Sequence, residues 1–144
     1  MTARRSAAAM ALLSVIGLAV ATYLAIIKLT GGAPVCGPLQ GCETVASSEY
    51  SEVVGVPVAV FGVAFSIVLV ALTVAWWRLV DRRALLGAYA LGLLGTLVVA
   101  GLTYLELFVI HAVCVYCVVY AVTVVTGFLL AVVAMRTSPE DGSR

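Results

Sequence analysis

The chain has 144 residues, 64% of them apolar and 10% charged, with a mean hydropathy of +1.20 and a formal net charge of +1. A soluble domain carries roughly 45–50% apolar and about 25% charged residues, so an ordinary water-soluble protein is excluded, and so is a disordered chain. A charge near neutrality, with no basic run longer than Arg4-Arg5, argues against nucleic acid as a partner.

Spans of about 20 residues with short connections divide this length into four membrane helices and leave no room for a second globular unit. The expected fold is an all-α integral membrane four-helix bundle forming a single domain over residues 1–144. Apolar runs place the spans at about 7–27, 53–77, 84–104 and 112–135. Ser14 and Thr22 interrupt the first run, and their hydroxyls can bond back to helix carbonyls. That run is longer than the roughly 7–15 apolar residues of a signal peptide, and no A-x-A site follows it. Val35 stands where a lipoprotein site needs a small residue before Cys36. Gly17 with Ala21, and Ala88 with Gly92, are small-xxx-small pairs suited to packing seams.

With these ends, Arg4, Arg5, Arg78, Arg82, Arg83, Arg136 and Arg144 fall on one side and Lys28 alone on the other. The positive-inside rule makes both termini and the 78–83 loop cytoplasmic, with residues 28–52 and the connection 105–111 outward. Trp76 and Trp77 then form an inner aromatic belt, and Tyr23, Tyr104 and Tyr116 an outer one. In the outward loop, Cys42, Val45, Ala46, Tyr50, Val53 and Val54 recur at near-helical spacing, which predicts a short interfacial helix within 42–54.

Cys36, Cys42, Cys114 and Cys117 all lie on the outward side, where disulfides persist. Three pairings are open. Cys36 and Cys42 bracket Gly37-Pro38-Leu39-Gln40-Gly41, a flexible loop that can bring its thiols together. Cys114 and Cys117 share the first turn of the fourth span, where unpaired N–H groups and the helix dipole favour thiolate. Two structural disulfides, in a non-catalytic membrane protein or a subunit of a complex, are the alternative, but a C-x-x-C inside one helical turn clamps nothing the helix does not already hold. Zinc is disfavoured by the x5 spacing and the oxidising side, so no metal is expected. Haem attachment is excluded because Val118, not His, follows Cys117.

A loop pair feeding a membrane-level pair forms a relay for two electrons, and a relay needs a terminal acceptor. The sequence has no dinucleotide fingerprint and no flavin domain, which leaves a lipid-soluble quinone. Cys36-x5-Cys42, then Val45, Ser48 and Tyr50, then Gly55-Val56-Pro57-Val58-Ala59 with Gly62, then Tyr104-Leu105-Glu106, then Cys114-x2-Cys117 together resemble the bacterial vitamin K epoxide reductase homologues over residues 10–135. The resemblance implies a disulfide-generating enzyme of the cell inner membrane that oxidises a separate, secreted thioredoxin-like protein and reduces menaquinone or ubiquinone. It implies that Cys36 exchanges with the partner and Cys42 attacks the Cys114–Cys117 bridge. Cys117 becomes the thiolate next to the quinone, and Ser48 a hydroxyl near the active cysteines. Val115 stands where the family often has Pro. The family's quinone-bonding Tyr position falls on Ala121, with Tyr120 adjacent, and the chain has no Asn to supply the second contact. His111, three residues before Cys114, is a candidate proton donor to the cofactor site, against a simply solvated imidazole. Glu106 is an acid near the membrane, hence a functional candidate, against snorkelling into water.

Overall fold

In the chain's computed structural model, residues 2–38 and 41–137 are described. Four helices are long and apolar enough to cross a membrane, over Arg4–Leu29, Val58–Leu79, Arg82–Ile110 and Val115–Thr137. The all-α membrane bundle is therefore as the sequence predicts. Its long helices are α1 (Thr2–Leu29), α3 (Val58–Leu79), α4 (Arg82–Tyr104) and α5 (Val115–Thr137), and a short α2 (Gly41–Ser47) lies between the first two. Packing runs from α1 to α3, α3 to α4, α4 to α5 and α5 back to α1. Chain order makes each neighbour antiparallel, an up-down-up-down bundle.

Local chemistry sets the helix ends. Thr30 and Gly31, the latter at φ 73°, close α1 with bonds to the carbonyls of Ile26 and Lys28. Val80, left-handed at φ 52°, ends α3 by donating its N–H to Trp76 O, and the Asp81 carboxylate accepts the Arg83 amide at 2.9 Å to start α4. Inside the spans, Ser14, Thr73 and Thr96 each donate to the carbonyl four residues back, which satisfies their hydroxyls without a partner helix.

The second span begins five residues later than expected. Glu52–Val53 (β1) pairs antiparallel with Val56–Pro57 (β2) through a two-residue turn, Val54-Gly55, in which both residues have positive φ. Val53 and Val54 thus extend the apolar run in sequence but belong to a hairpin, with Val54 98% exposed. The expected interfacial helix is also shorter. It stops at Ser47, and a 3-10 turn (Glu49–Ser51) follows, so Tyr50, Val53 and Val54 do not continue its buried face. At the other connection, residues 105–110 are a π-helical extension of α4 rather than a loop, and α5 begins at Val115 rather than Ala112.

The bundle is tightest at the end that carries Arg4, Arg5, Arg78, Arg82, Arg83 and Arg136; Arg144 and the tail 138–144 lie outside the described residues. Ala7, Met10, Trp76, Ala84, Leu85, Ala88, Ala131 and Ala134 form the buried cluster there. Trp76, expected in an aromatic belt, is a core residue of this cluster, whereas Trp77 is exposed. In lipid, association rests on close packing and not on escape from water, so alanine and glycine seams do the holding. A Cβ added at Gly92 would sit 3.3 Å from the Phe128 side chain, and one at Gly17 3.3 Å from Thr123 Oγ1. Gly92→Leu is expected to cost at least about 1–3 kcal/mol by overpacking α4 against α5. Gly101→Ala, at a helical position with open space around it, should be neutral or stabilising by up to about 1 kcal/mol. Thermal unfolding of the two variants in one detergent checks the contrast.

Candidate active site

All four cysteines gather at the end of the bundle opposite the arginines. Cys36 and Cys42 are joined by a disulfide with a Cα–Cα distance of 6.1 Å, while Cys114 and Cys117 are free. Cys42 sits in the first turn of α2 and is fully buried. Its neighbour Gly41 lies so close to the Val113 backbone that a Cβ would collide with it. Glycine is thus required there for α2 to lie on the start of α5.

Contacts of Lys28 and Tyr116 also hold this cap down. Lys28 Nζ, at the end of α1, donates to Ala46 O and to Ser51 Oγ at 3.1 Å, and pairs with Glu52 at 3.5 Å. Tyr116 Oη donates to Val35 O at 2.9 Å, the residue before Cys36, while its ring stands 5.1 Å from that of Tyr23. Tyr23 and Tyr116 are therefore a strut beneath the Cys36 loop, whereas Tyr104 is exposed and paired with Phe108. The chain's single lysine was the available signal for the Lys28 tether, but its partners come from residues 18 to 24 positions away, which no local pattern reveals. The roles of Gly41 and Tyr116 likewise appear only in three dimensions.

Cys114 occupies the cap position of α5, its carbonyl accepting Val118 N–H at 3.0 Å, and Cys117 lies in the first turn. The Cys117 thiol, acting as hydrogen-bond donor, holds the buried Cys114 thiol down to about 7, against the opposing effects of burial and of the Glu106 charge. Glu106 itself is buried, 5% exposed, and does not snorkel. Its Oε2 accepts the Cys114 amide at 3.4 Å.

Between the helices lies a largely apolar cavity of about 370 Å³, bordered by Cys42, Ser48, Glu106, Cys114, Cys117 and Tyr120. Of the residues singled out from the sequence, Cys42, Cys114, Cys117, Ser48 and Tyr120 meet here, while Cys36 stands behind its disulfide partner. Ser48 Oγ donates to Val45 O at 2.7 Å. Tyr120 Oη donates to Gly62 O at 3.2 Å and lies 3.2 Å from Ser66 Oγ, a buried hydroxyl that the sequence did not single out. His111 is not brought in: its side chain is exposed, and its left-handed backbone, φ 56°, ends the π-helical turn.

The order of cysteines, the Gly-x-Pro-x-Ala segment leading into α3 and the helix-borne C-x-x-C now have a common geometry. Residues 8–132 match the vitamin K epoxide reductase family. The chain belongs to that family. It is accordingly a membrane thiol oxidoreductase. Among individual curated proteins, none matches.

Two outcomes are expected of this geometry. Gly41→Ala should destabilise the fold by about 1–3 kcal/mol through overpacking, read by thermal unfolding, and speed reduction of the Cys36–Cys42 bridge by dithiothreitol, read by alkylation gel shift. In the form with Cys114 and Cys117 reduced, thiolate absorbance should rise through a midpoint near pH 7 and be lost below it. At pH 7 an ordinary thiol is only a few per cent ionised. Cys114→Ser should abolish that transition, and Cys117→Ala, which removes the hydrogen-bond donor, should move it up toward the ordinary thiol value.

Proposed function

We propose that the chain is a quinone-linked thiol oxidase that generates disulfides, passing electrons from a secreted thioredoxin-like protein through Cys36/Cys42 and Cys114/Cys117 to menaquinone or ubiquinone. Its chief support is that both cysteine pairs converge on one apolar cavity at the end of a membrane bundle. Small-molecule sites are apolar hollows of about 300–1,000 Å³ with a few placed polar groups, and this cavity fits that description. Cys117 and Tyr120 line it, and Tyr120 Oη, already oriented by Gly62 and Ser66, is the group suited to bond a quinone carbonyl. Bound there, a quinone would supply a two-electron, two-proton acceptor. By the positive-inside rule, the arginine end is cytoplasmic and the cysteine end faces outward from a cell inner membrane, on the side where disulfides persist.

Thiol–disulfide exchange conserves electrons at every step. A partner dithiol attacks the loop bridge at Cys36 through a mixed disulfide and leaves oxidised, so that Cys36 and Cys42 become thiols. Cys42 thiolate then attacks the Cys114–Cys117 bridge. The loop bond re-forms and the two electrons pass to the helix pair. A closed loop pair beside a free helix pair is the state reached at that point. The Cys114 environment favours thiolate near neutrality, which suits reaction without an external base. Ser48, on the cavity wall within the cap that carries Cys42, positions the approach between the pairs.

The test is anaerobic. The protein is fully reduced in lipid nanodiscs and mixed with a menaquinone or ubiquinone analogue, and quinol and free thiols are counted. Stoichiometric quinol formation with loss of thiols is expected, and none with Cys117→Ala. Cys42→Ser should still give one turnover from its reduced helix pair while losing steady-state oxidation of a thioredoxin-like substrate. Failure of the unaltered protein with both quinones would overturn the proposal.

A further inference from the structure

Glu106 has an ionisable side chain that its structural role does not require. It lies in the π-helical turn, 5% exposed, and borders the cavity beside the reactive pair. Among the described residues, the one ion pair is Lys28–Glu52, so Lys28, which borders the same cavity, is engaged with another acid and Glu106 has no ion-pair partner. Its Oε2 accepts the Cys114 amide at 3.4 Å, and Cys114 and Cys117 border the same cavity. Accepting an amide proton needs only a carbonyl oxygen, which glutamine would supply without the cost of burying an ionisable group. Such groups at membrane depth are retained for function.

We propose that Glu106 is the proton acceptor for the Cys114/Cys117 thiol pair, carrying a thiol proton from Cys117 toward the cavity as the disulfide forms. Closing the S–S bond breaks two S–H bonds and releases two electrons and two protons. The Cys114 proton passes to water on the outward side as its thiolate forms, and the Cys117 proton moves to a Glu106 oxygen. The oxidant takes its first proton from Glu106 and its second from that water. Both electrons pass to the oxidant in the cavity, and Glu106 returns its proton to that oxidant's oxygen. The final transfer rests on the quinone reading above, whereas the acceptance of the thiol proton does not.

The experiment therefore includes a quinone-free arm. Full-length protein in nanodiscs, with all four cysteines reduced, is oxidised with diamide, a two-electron, two-proton acceptor, and loss of the Cys114/Cys117 thiols is timed. General bases contribute about 10²–10⁴ in rate, so Glu106→Gln is expected to slow pair closure at least about 100-fold, and single-turnover quinol formation by a similar factor. Glu106→Asp should recover part of both. A carboxylate that merely repels the thiolates gives the opposite sign, because its removal favours thiolate and speeds closure. A rate for Glu106→Gln within threefold of the unaltered protein, or above it, overturns the proposal. Should that variant fail to fold, the unaltered protein decides the matter through time-resolved infrared spectra of pair closure by diamide, with carbon-13 glutamate. A protonated carboxyl band that rises and decays during closure is expected, and its absence overturns the proposal. If the unaltered protein closes its pair with diamide at a Glu106-dependent rate but reduces neither quinone, the oxidase reading fails while the proton acceptor stands.

Discussion

A backbone N–H away from water must find an acceptor within the protein, and the turn from α4 into α5 exists because Glu106 supplies three. Its carbonyl accepts the amides of His111 and Ala112, and its carboxylate accepts that of Cys114. The wider winding of the π-helical turn makes room for this arrangement, and left-handed His111 then releases the chain from the helix. Without those acceptors the reversal would leave orphaned donors beside the cavity. With them, Cys114 is placed at the cap of α5 and Cys117 one turn inside it. The redox pair is thus a by-product of how the chain turns back.

The rest of the bundle divides its labour between its two ends. At the arginine end, alanine, glycine and one buried tryptophan bring the helices close together. At the cysteine end the same helices are held by the cap, through Lys28, Tyr116 and the Gly41 contact, and a cavity remains between them. Gly95 lies under this cavity, where a Cβ would strike the Phe65 ring, so even here the wall is set by the absence of a side chain. A closed end supplies rigidity, and the open end can accept a flat apolar molecule while the thiols stay fixed.

What the sequence revealed followed from signals that are long or chemically singular. Twenty-residue apolar runs announced all four spans, and four cysteines in a distinctive order announced the thiol chemistry. The failures have a common cause in tertiary contacts that carry no local period. Val53 and Val54 are as apolar as the span they precede, and only the positive φ at Val54 and Gly55 makes them a hairpin. Trp76 and Trp77 are adjacent and chemically identical, and helical geometry alone sends one into the core and the other outward. Glu106 looked like an acid at a span end, where water is usually near. Its burial follows from the π-helical extension, which carries the helix six residues beyond the expected span end at 104. Ser66 was one hydroxyl in a long apolar run, given meaning only by Tyr120, 54 residues away.

The two cysteine pairs differ in what surrounds them more than in what their bridges do for the fold. A bridge between Cys36 and Cys42 closes a short loop between chain segments, whereas a bridge between Cys114 and Cys117 would span three residues that α5 already holds in place. Chain entropy therefore favours the loop bridge only weakly and the helix bridge hardly at all, so neither pair is locked by its stabilising effect on the fold. What differs is the environment. The loop pair is attached to a cap that the long helices restrain from outside, while the helix pair sits at the cavity with a buried carboxylate and a thiol that prefers ionisation near neutrality. The helix pair thus stands at the wall of the apolar cavity, with the buried Glu106 beside it, whereas the loop pair is held from outside by the cap.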